Sequence, residues 1–275
     1  MFSRIVLILV IVAGLTGCGS GHSDRGRSVV AAFYPLAYAA ETIGGATYRV
    51  ENLTPAGAEP HDLELSPREV GRIESAAVVL YLGHGFQPAV SKAVEQAHGK
   101  RVDALAGLPL RDNDPHVWLD PVMFQQVAQR IGSALQRPAR PVVAELKQLD
   151  RTYRKGLHNC ARREIVTSHA AFGYLAARYG LRQVAITGTA PESEPSPQQL
   201  THVIDVVRRT HATTVFSEPL VSPRLAETVA REVGARTATL DPIEALTADE
   251  AQRGDNYVTL MQRNLTALRK ALGCR

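Results

Sequence analysis

Eight short apolar, β-branched stretches recur along this chain, with room for a helix between neighbours. Four lie in the first half, at residues 29–34, 48–53, 77–82 and 101–105, and four in the second, at 164–168, 183–187, 213–217 and 236–240. Strands spaced by helices pair as parallel sheets through crossover connections. The expected fold class is therefore α/β, with two parallel-sheet (β/α)4 lobes. Helix starts agree with that frame. Ser66-Pro67-Arg68-Glu69 reads as a capping box with proline at the first helical position, Ser196-Pro197-Gln198-Gln199 repeats it, and Ser222-Pro223 offers the same cap.

No Gly/Ser linker separates the halves. Val142, Leu146, Leu149 and Tyr153 instead fall at helical spacing, with charges on the opposite face. A linking helix of about five turns is expected over 138–159, between an N-terminal lobe at 28–137 and a C-terminal lobe at 160–275. Such a connection resists the wide hinge motion that strand crossovers permit.

The N-terminus reads as a targeting segment. Arg4 precedes an apolar run at 5–13, which is shorter than the roughly 20 residues that span a bilayer. Leu15-Thr16-Gly17-Cys18 resembles the bacterial lipobox. Residues 1–17 are thus expected to be a lipoprotein signal peptide, Cys18 the lipidated mature N-terminus, and 18–27 a polar tether. The protein is expected to be exported and lipid-anchored on the outer face of the cytoplasmic membrane. In an oxidising compartment the two remaining cysteines, Cys160 and Cys274, are expected to form a disulfide. A net charge of +4, carried with 27 acids and no basic run, does not suit nucleic acid, and a monomer is expected.

Chemistry concentrates where the strands end. In open α/β sheets ligands bind beyond the carboxyl ends of the strands. His169 follows the stretch at 164–168, and Asp241 follows 236–240. His61 and His116 sit in loops after 48–53 and 101–105. These four are the expected metal ligands, two from each half. A lone loop histidine is usually just solvated, and Asp241-Pro242-Ile243-Glu244 also reads as a helix N-cap with glutamate at the third helical position. His84, between two glycines, is a rival that also follows a strand. Glu218 ends another strand and is expected to support a ligand. Trp118, the only tryptophan, lies two residues from His116 and is expected beside the site.

Glu59-Pro60-His61-Asp62, Asp114-Pro115-His116-Val117-Trp118-Leu119-Asp120-Pro121, Thr167-Ser168-His169-Ala170-Ala171-Phe172-Gly173-Tyr174, Glu192-Ser193-Glu194-Pro195-Ser196 and Leu240-Asp241-Pro242 occur in this order. Together they resemble the zinc/manganese solute-binding lipoproteins of bacterial ABC importers, from about residue 29 to the C-terminus. The resemblance implies two α/β lobes joined by a rigid helix with metal in the cleft, His61, His116, His169 and Asp241 at the ligand positions, and delivery to a membrane permease. Two departures stand out. The long His- and acid-rich loop of many zinc-importing members is reduced to Pro109–Asp114, and His84 replaces a polar amide.

Three imidazoles and one carboxylate suit tetrahedral Zn²⁺, whereas Mn²⁺ prefers more oxygen. Manganese-type relatives carry a carboxylate where this chain has His169. Zinc is the expected ion and manganese the alternative. A zinc hydrolase or an adhesin with structural zinc are further alternatives. Against the hydrolase, the histidines form no His-Glu-x-x-His motif, and a fourth protein ligand would fill the position that a catalytic water needs.

Overall fold

The computed structural model describes residues 27–112 and 114–275. The expected signal peptide, the expected lipidation site Cys18 and the expected tether up to residue 26 lie outside the described residues. All eight apolar stretches overlap a strand. In the first half these are β1 (Ser28–Ala31), β2 (Arg49–Asn52), β3 (Val78–Tyr81) and β4 (Lys100–Asp103); in the second, β5 (Glu164–Thr167), β6 (Arg182–Ala185), β7 (Thr214–Ser217) and β8 (Arg236–Thr239). Every pairing is parallel, and the sheets share one topology, β2-β1-β3-β4 and β6-β5-β7-β8. The inner strands β1, β3, β5 and β7 carry the buried β-branched residues. The outer strands β2, β4, β6 and β8 are less buried and more polar, as sheet edges usually are.

Crossover helices flank the first sheet: α1 (Tyr34–Gly44), α2 (Pro67–Ser75), α3 (Pro88–Val94) and α4 (Pro121–Ala134). Ser66 and Glu69 form the expected capping box, and Asp120 caps α4 by accepting from Val122 N–H. The joining helix α5 runs over Arg140–Leu157, about 27 Å at 1.5 Å per residue, with Val142, Leu146, Leu149, Tyr153 and Leu157 buried on one face. The second half adds α6 (Gly173–Arg178), α7 (Pro197–Thr210), α8 (Arg224–Val233), α9 (Ala248–Arg253) and α10 (Tyr257–Leu272). Ser222-Pro223 does not cap as expected. The helix starts one residue later, and Pro223 occupies the cap position with no side-chain bond.

One continuous core unites the first sheet, α5, α10 and the inward face of the second half, so the lobes are packed together rather than merely tethered. A smaller core lies between the second sheet and helices α7 and α8. Polar pins cross the junction close to the strand ends. Arg178 reaches both oxygens of Asp120 at 2.9 Å, and Tyr174 hydroxyl donates to the Asp114 carbonyl at 2.9 Å. On the far side the disulfide Cys160–Cys274 ties the chain just after α5 to the C-terminus.

Candidate metal centre

The sheets direct four side chains into one buried spot between the lobes. His61 comes from the loop between β2 and α2, and His116 from the loop after β4, at the start of a 3₁₀ turn over Val117–Leu119. His169 comes from the loop after β5, and Glu244 from the loop after β8. Parallel strands deliver all their carboxyl ends to one edge, which is why residues so far apart in sequence meet here.

Four of the six distances between the donor atoms match the edges of a zinc tetrahedron. Glu244 Oε1 lies 3.2 Å from His116 Nε2 and 3.5 Å from both His61 Nε2 and His169 Nε2, and the last is 3.4 Å from His116 Nε2. All four atoms fall within 4.8 Å of one another. A tetrahedral zinc with bonds of about 2.0–2.1 Å holds its donors about 3.3–3.4 Å apart. His61 Nε2 and Glu244 Oε1 are buried with no hydrogen-bond partner among the described residues. Orphaned polar atoms of this kind are rare in protein interiors and need a reason, which a shared cation supplies.

Two of the three imidazoles are held from behind by carboxylates. His116 Nδ1 lies 2.6 Å from Asp114 Oδ1, which also accepts the His116 backbone N–H at 2.9 Å. His169 Nδ1 lies 2.6 Å from Glu218 Oε2, while Glu218 Oε1 accepts the His169 backbone N–H at 3.1 Å. A carboxylate on Nδ1 turns the Nε2 lone pair inward and makes it a better donor. Among the described residues His61 has no such partner. Its ring packs edge-on against Phe86 with centroids 4.6 Å apart, its backbone N–H donates to Glu59 Oε1, and its side chain is 10% exposed.

The local field favours a cation. Burial lowers the His169 pKa, but Glu218 and Glu244 outweigh it and raise the group to about 10. His116 is raised in the same way by Asp114 and Glu244 against its burial. Burial pushes Glu244 up, and the three facing imidazoles reverse this and hold it well below the usual carboxylate range. Glu59 is raised to about 7, chiefly by burial and then by Glu244.

Asp241 does not join the cluster, contrary to the expectation from sequence. Its Oδ1 accepts Ile243 N–H at 2.7 Å, and Asn264 pins its backbone by donating to its carbonyl and accepting its N–H. Its Oδ2 is buried without a partner, and burial, reinforced by Glu250, Glu244 and Glu218, raises the carboxyl to about 8. No helix starts at Asp241 either. Ile243 sits at φ 58°, in the left-handed region that a β-branched residue enters only under constraint. That twist turns the chain and delivers Glu244. Sequence reasoning saw Glu244 only as a capping glutamate; a carboxylate three residues beyond a strand-end Asp-Pro was the available signal.

The other expectations divide clearly. Glu218 stands behind His169, and Trp118 lies beside His116 with ring centroids 5.0 Å apart. His84 is exposed at φ 59° and outside the cluster. His98, His158, His202 and His211 are exposed.

Two parallel-sheet lobes packed around three imidazoles and a carboxylate define a two-lobed protein with a centre fit for a divalent cation. The profile of the family "Zinc-uptake complex component A periplasmic" matches residues 29–271, and the chain belongs to that family. It is 31% identical to the zinc-binding lipoprotein AdcA of Streptococcus pneumoniae, over 97% of this chain and 60% of AdcA, so it spans about three-fifths of that relative. It is 29% identical to the high-affinity zinc uptake system protein ZnuA of Bacillus subtilis, over 96% of this chain and 94% of ZnuA. The Zn(II)-bound ZnuA-like domain of S. pneumoniae AdcA superposes with a TM-score of 0.75 at 33% identity, covering 89% of this chain and 98% of that domain. The laminin-binding protein Lmb of Streptococcus agalactiae, described as an adhesin with metal-transporting activity, superposes with a TM-score of 0.81 at 30% identity over 90% and 99%.

Proposed function

We propose that this protein is an extracytoplasmic solute-binding protein that captures Zn²⁺ through His61, His116, His169 and Glu244 and delivers it to an ABC permease. The observation that carries the reading is the 3.2–3.5 Å spacing of three imidazole nitrogens around Glu244 Oε1, the edge length of a zinc tetrahedron rather than a set of hydrogen bonds. Three nitrogen donors and one oxygen favour zinc over manganese. Four protein donors leave no place for a bound water, so the centre is built to hold and release an ion and not to catalyse hydrolysis. Lipid attachment at Cys18, a monomeric state, and lobes at 28–137 and 160–275 around the joining helix belong to the same reading, supported by the lipobox-like sequence and by the lipoprotein description of the S. pneumoniae relative.

Zinc-soaked crystals measured at the zinc absorption edge test the site. A single anomalous peak at bonding distance from the three Nε2 atoms and Glu244 Oε1 is expected. A peak bonded to Asp241 with Glu244 turned away would refute the ligand set.

A further inference from the structure

Among the described residues no strand pairs with the outer side of the second sheet's last strand. β8 is the last strand of that sheet. Arg236 N–H donates to Thr213 O and Leu240 N–H to Ser217 O, both at 3.0 Å. Residues of a parallel strand turn their backbone groups alternately to either side. Thr237 and Thr239 therefore present N–H and C=O away from β7, and their side chains are exposed too.

Beside this edge runs a groove of about 600 Å³ whose second wall is the face of α10 carrying Arg263, Thr266 and Lys270. The groove is lined by three cations and no carboxylate. Arg263 is held by Asp255 at 2.6 and 2.7 Å. The side chains of Arg236 and Lys270 have no hydrogen bond or ion pair among the described residues. Arg236 shares a strand face with Ala238, which packs against the core that α10 helps to build, so Arg236 and α10 flank the same side of the edge.

We propose that the β8–α10 groove docks an extended acidic segment of a partner protein, which adds to the sheet as a fifth strand. The open row of backbone donors and acceptors calls for a complementary backbone, the mode of strand addition. The unpaired Arg236 and Lys270 call for carboxylates, and a period of two along the added strand brings alternate side chains to the α10 wall. Four residues of β8 offer about 13 Å of edge, enough for a segment of four to six residues. A membrane surface would satisfy the cations but leave the edge unpaired, so a peptide is the better match. This surface is separate from the metal centre.

The test uses the zinc-loaded full chain and a synthetic eight-residue peptide alternating glutamate and valine, followed by amide NMR shifts. Saturable shifts centred on Thr237 and Thr239 are expected. Affinity should fall about tenfold in Arg236→Glu/Lys270→Glu, since each exposed charge pair contributes only a few-fold. It should be lost when the peptide backbone is N-methylated at alternate residues. Both substitutions fall on unpartnered surface side chains, and zinc stoichiometry checks that each variant is folded. No saturable binding, binding indifferent to N-methylation, binding unchanged in the double variant, or binding of phosphatidylglycerol vesicles without the peptide would each overturn the proposal.

Discussion

Trp118 Nε1 donates to the carbonyl oxygen of Pro242 at 2.7 Å, tying the turn that carries His116 to the loop that carries Glu244. The carbonyl of Trp118 accepts from Tyr257 hydroxyl at 2.5 Å, so the indole stands between one half's histidine and the other half's carboxylate. Its ring also packs on Phe33 and Phe86, and Phe86 backs His61. Movement at any of these three ligands must reach Trp118. Its emission should therefore change when Zn²⁺ is added to chelator-stripped protein and recover with chelator. Stoichiometric binding by calorimetry with silent fluorescence would contradict this. Trp118→Phe leaves the Pro242 carbonyl buried and unpaired, at a cost of about 1–3 kcal/mol, and should weaken zinc binding while keeping one site.

Glu244 and Asp241 should part company under mutation. Glu244→Ala removes the only carboxylate among the described residues whose oxygen faces all three imidazoles. Zinc affinity should drop at least about a hundredfold, the scale expected for losing a direct ligand when even supporting contacts are worth 10- to 100-fold. Asp241→Asn keeps an oxygen for Ile243 N–H and should stay within a few-fold of the parent. Because the folded pKa of Asp241 is raised to about 8, its stabilising contribution is present below the unfolded value near 3.9 and lost as pH rises through 8. The melting temperature of Asp241→Asn relative to the parent should accordingly climb between pH 5 and pH 8. Equal zinc losses in both variants would sink the distinction.

The architecture was legible because it rests on local signals. β-Branched runs, proline-led caps and the α5 stripe at Val142, Leu146, Leu149 and Tyr153 each reflect the physics of a few neighbouring residues. Three histidines could be placed because they follow strands and parallel strands share an edge. The fourth corner was not legible. It depends on Ile243 adopting a left-handed backbone that a β-branched residue disfavours, and only the surrounding tertiary packing imposes that conformation. The pairing of Asp114 with His116 was equally hidden, since a carboxylate two residues away can face a ring or solvent and only the fold decides.

The Cys160–Cys274 disulfide closes a loop with a sequence separation of 114. Chain-entropy arguments give about 4–5 kcal/mol for a closure of this length. The junction is also stitched by Ala161 N–H to Gly273 O, Arg162 N–H to Leu272 O and Arg275 N–H to Asn159 O, so the reduced protein should keep its fold and its zinc site. Calorimetric scans with and without reductant should differ by roughly 10 °C, since 1 kcal/mol shifts a chain of this size by about 2–4 °C. An unchanged melting temperature after verified reduction would show that these hydrogen bonds alone hold the terminus.

Zinc binding should release protons, and its strength should climb with pH. In the metal-free protein His169 keeps its proton up to about 10, and His116 is raised as well, because carboxylates face both rings. A zinc ion needs the Nε2 lone pair, so near pH 7 it must displace the proton that His169 holds. Glu244, held well below the usual range, is already ionised and has none to give. A displaced proton is worth a factor of ten per pH unit, so the His169 proton alone gives about a tenfold gain in affinity for each unit of pH. The linkage to stability runs the opposite way for the free protein. A histidine with a raised folded pKa contributes stability that is complete below about 6.5 and is lost as pH rises toward 10. The melting temperatures of zinc-loaded and zinc-free protein should therefore diverge between pH 6 and pH 9. Calorimetry in buffers of different ionisation enthalpy counts the protons directly. At least about one released per zinc at pH 7 is the expected result, and a value near zero would mean that the resting site holds His169 neutral.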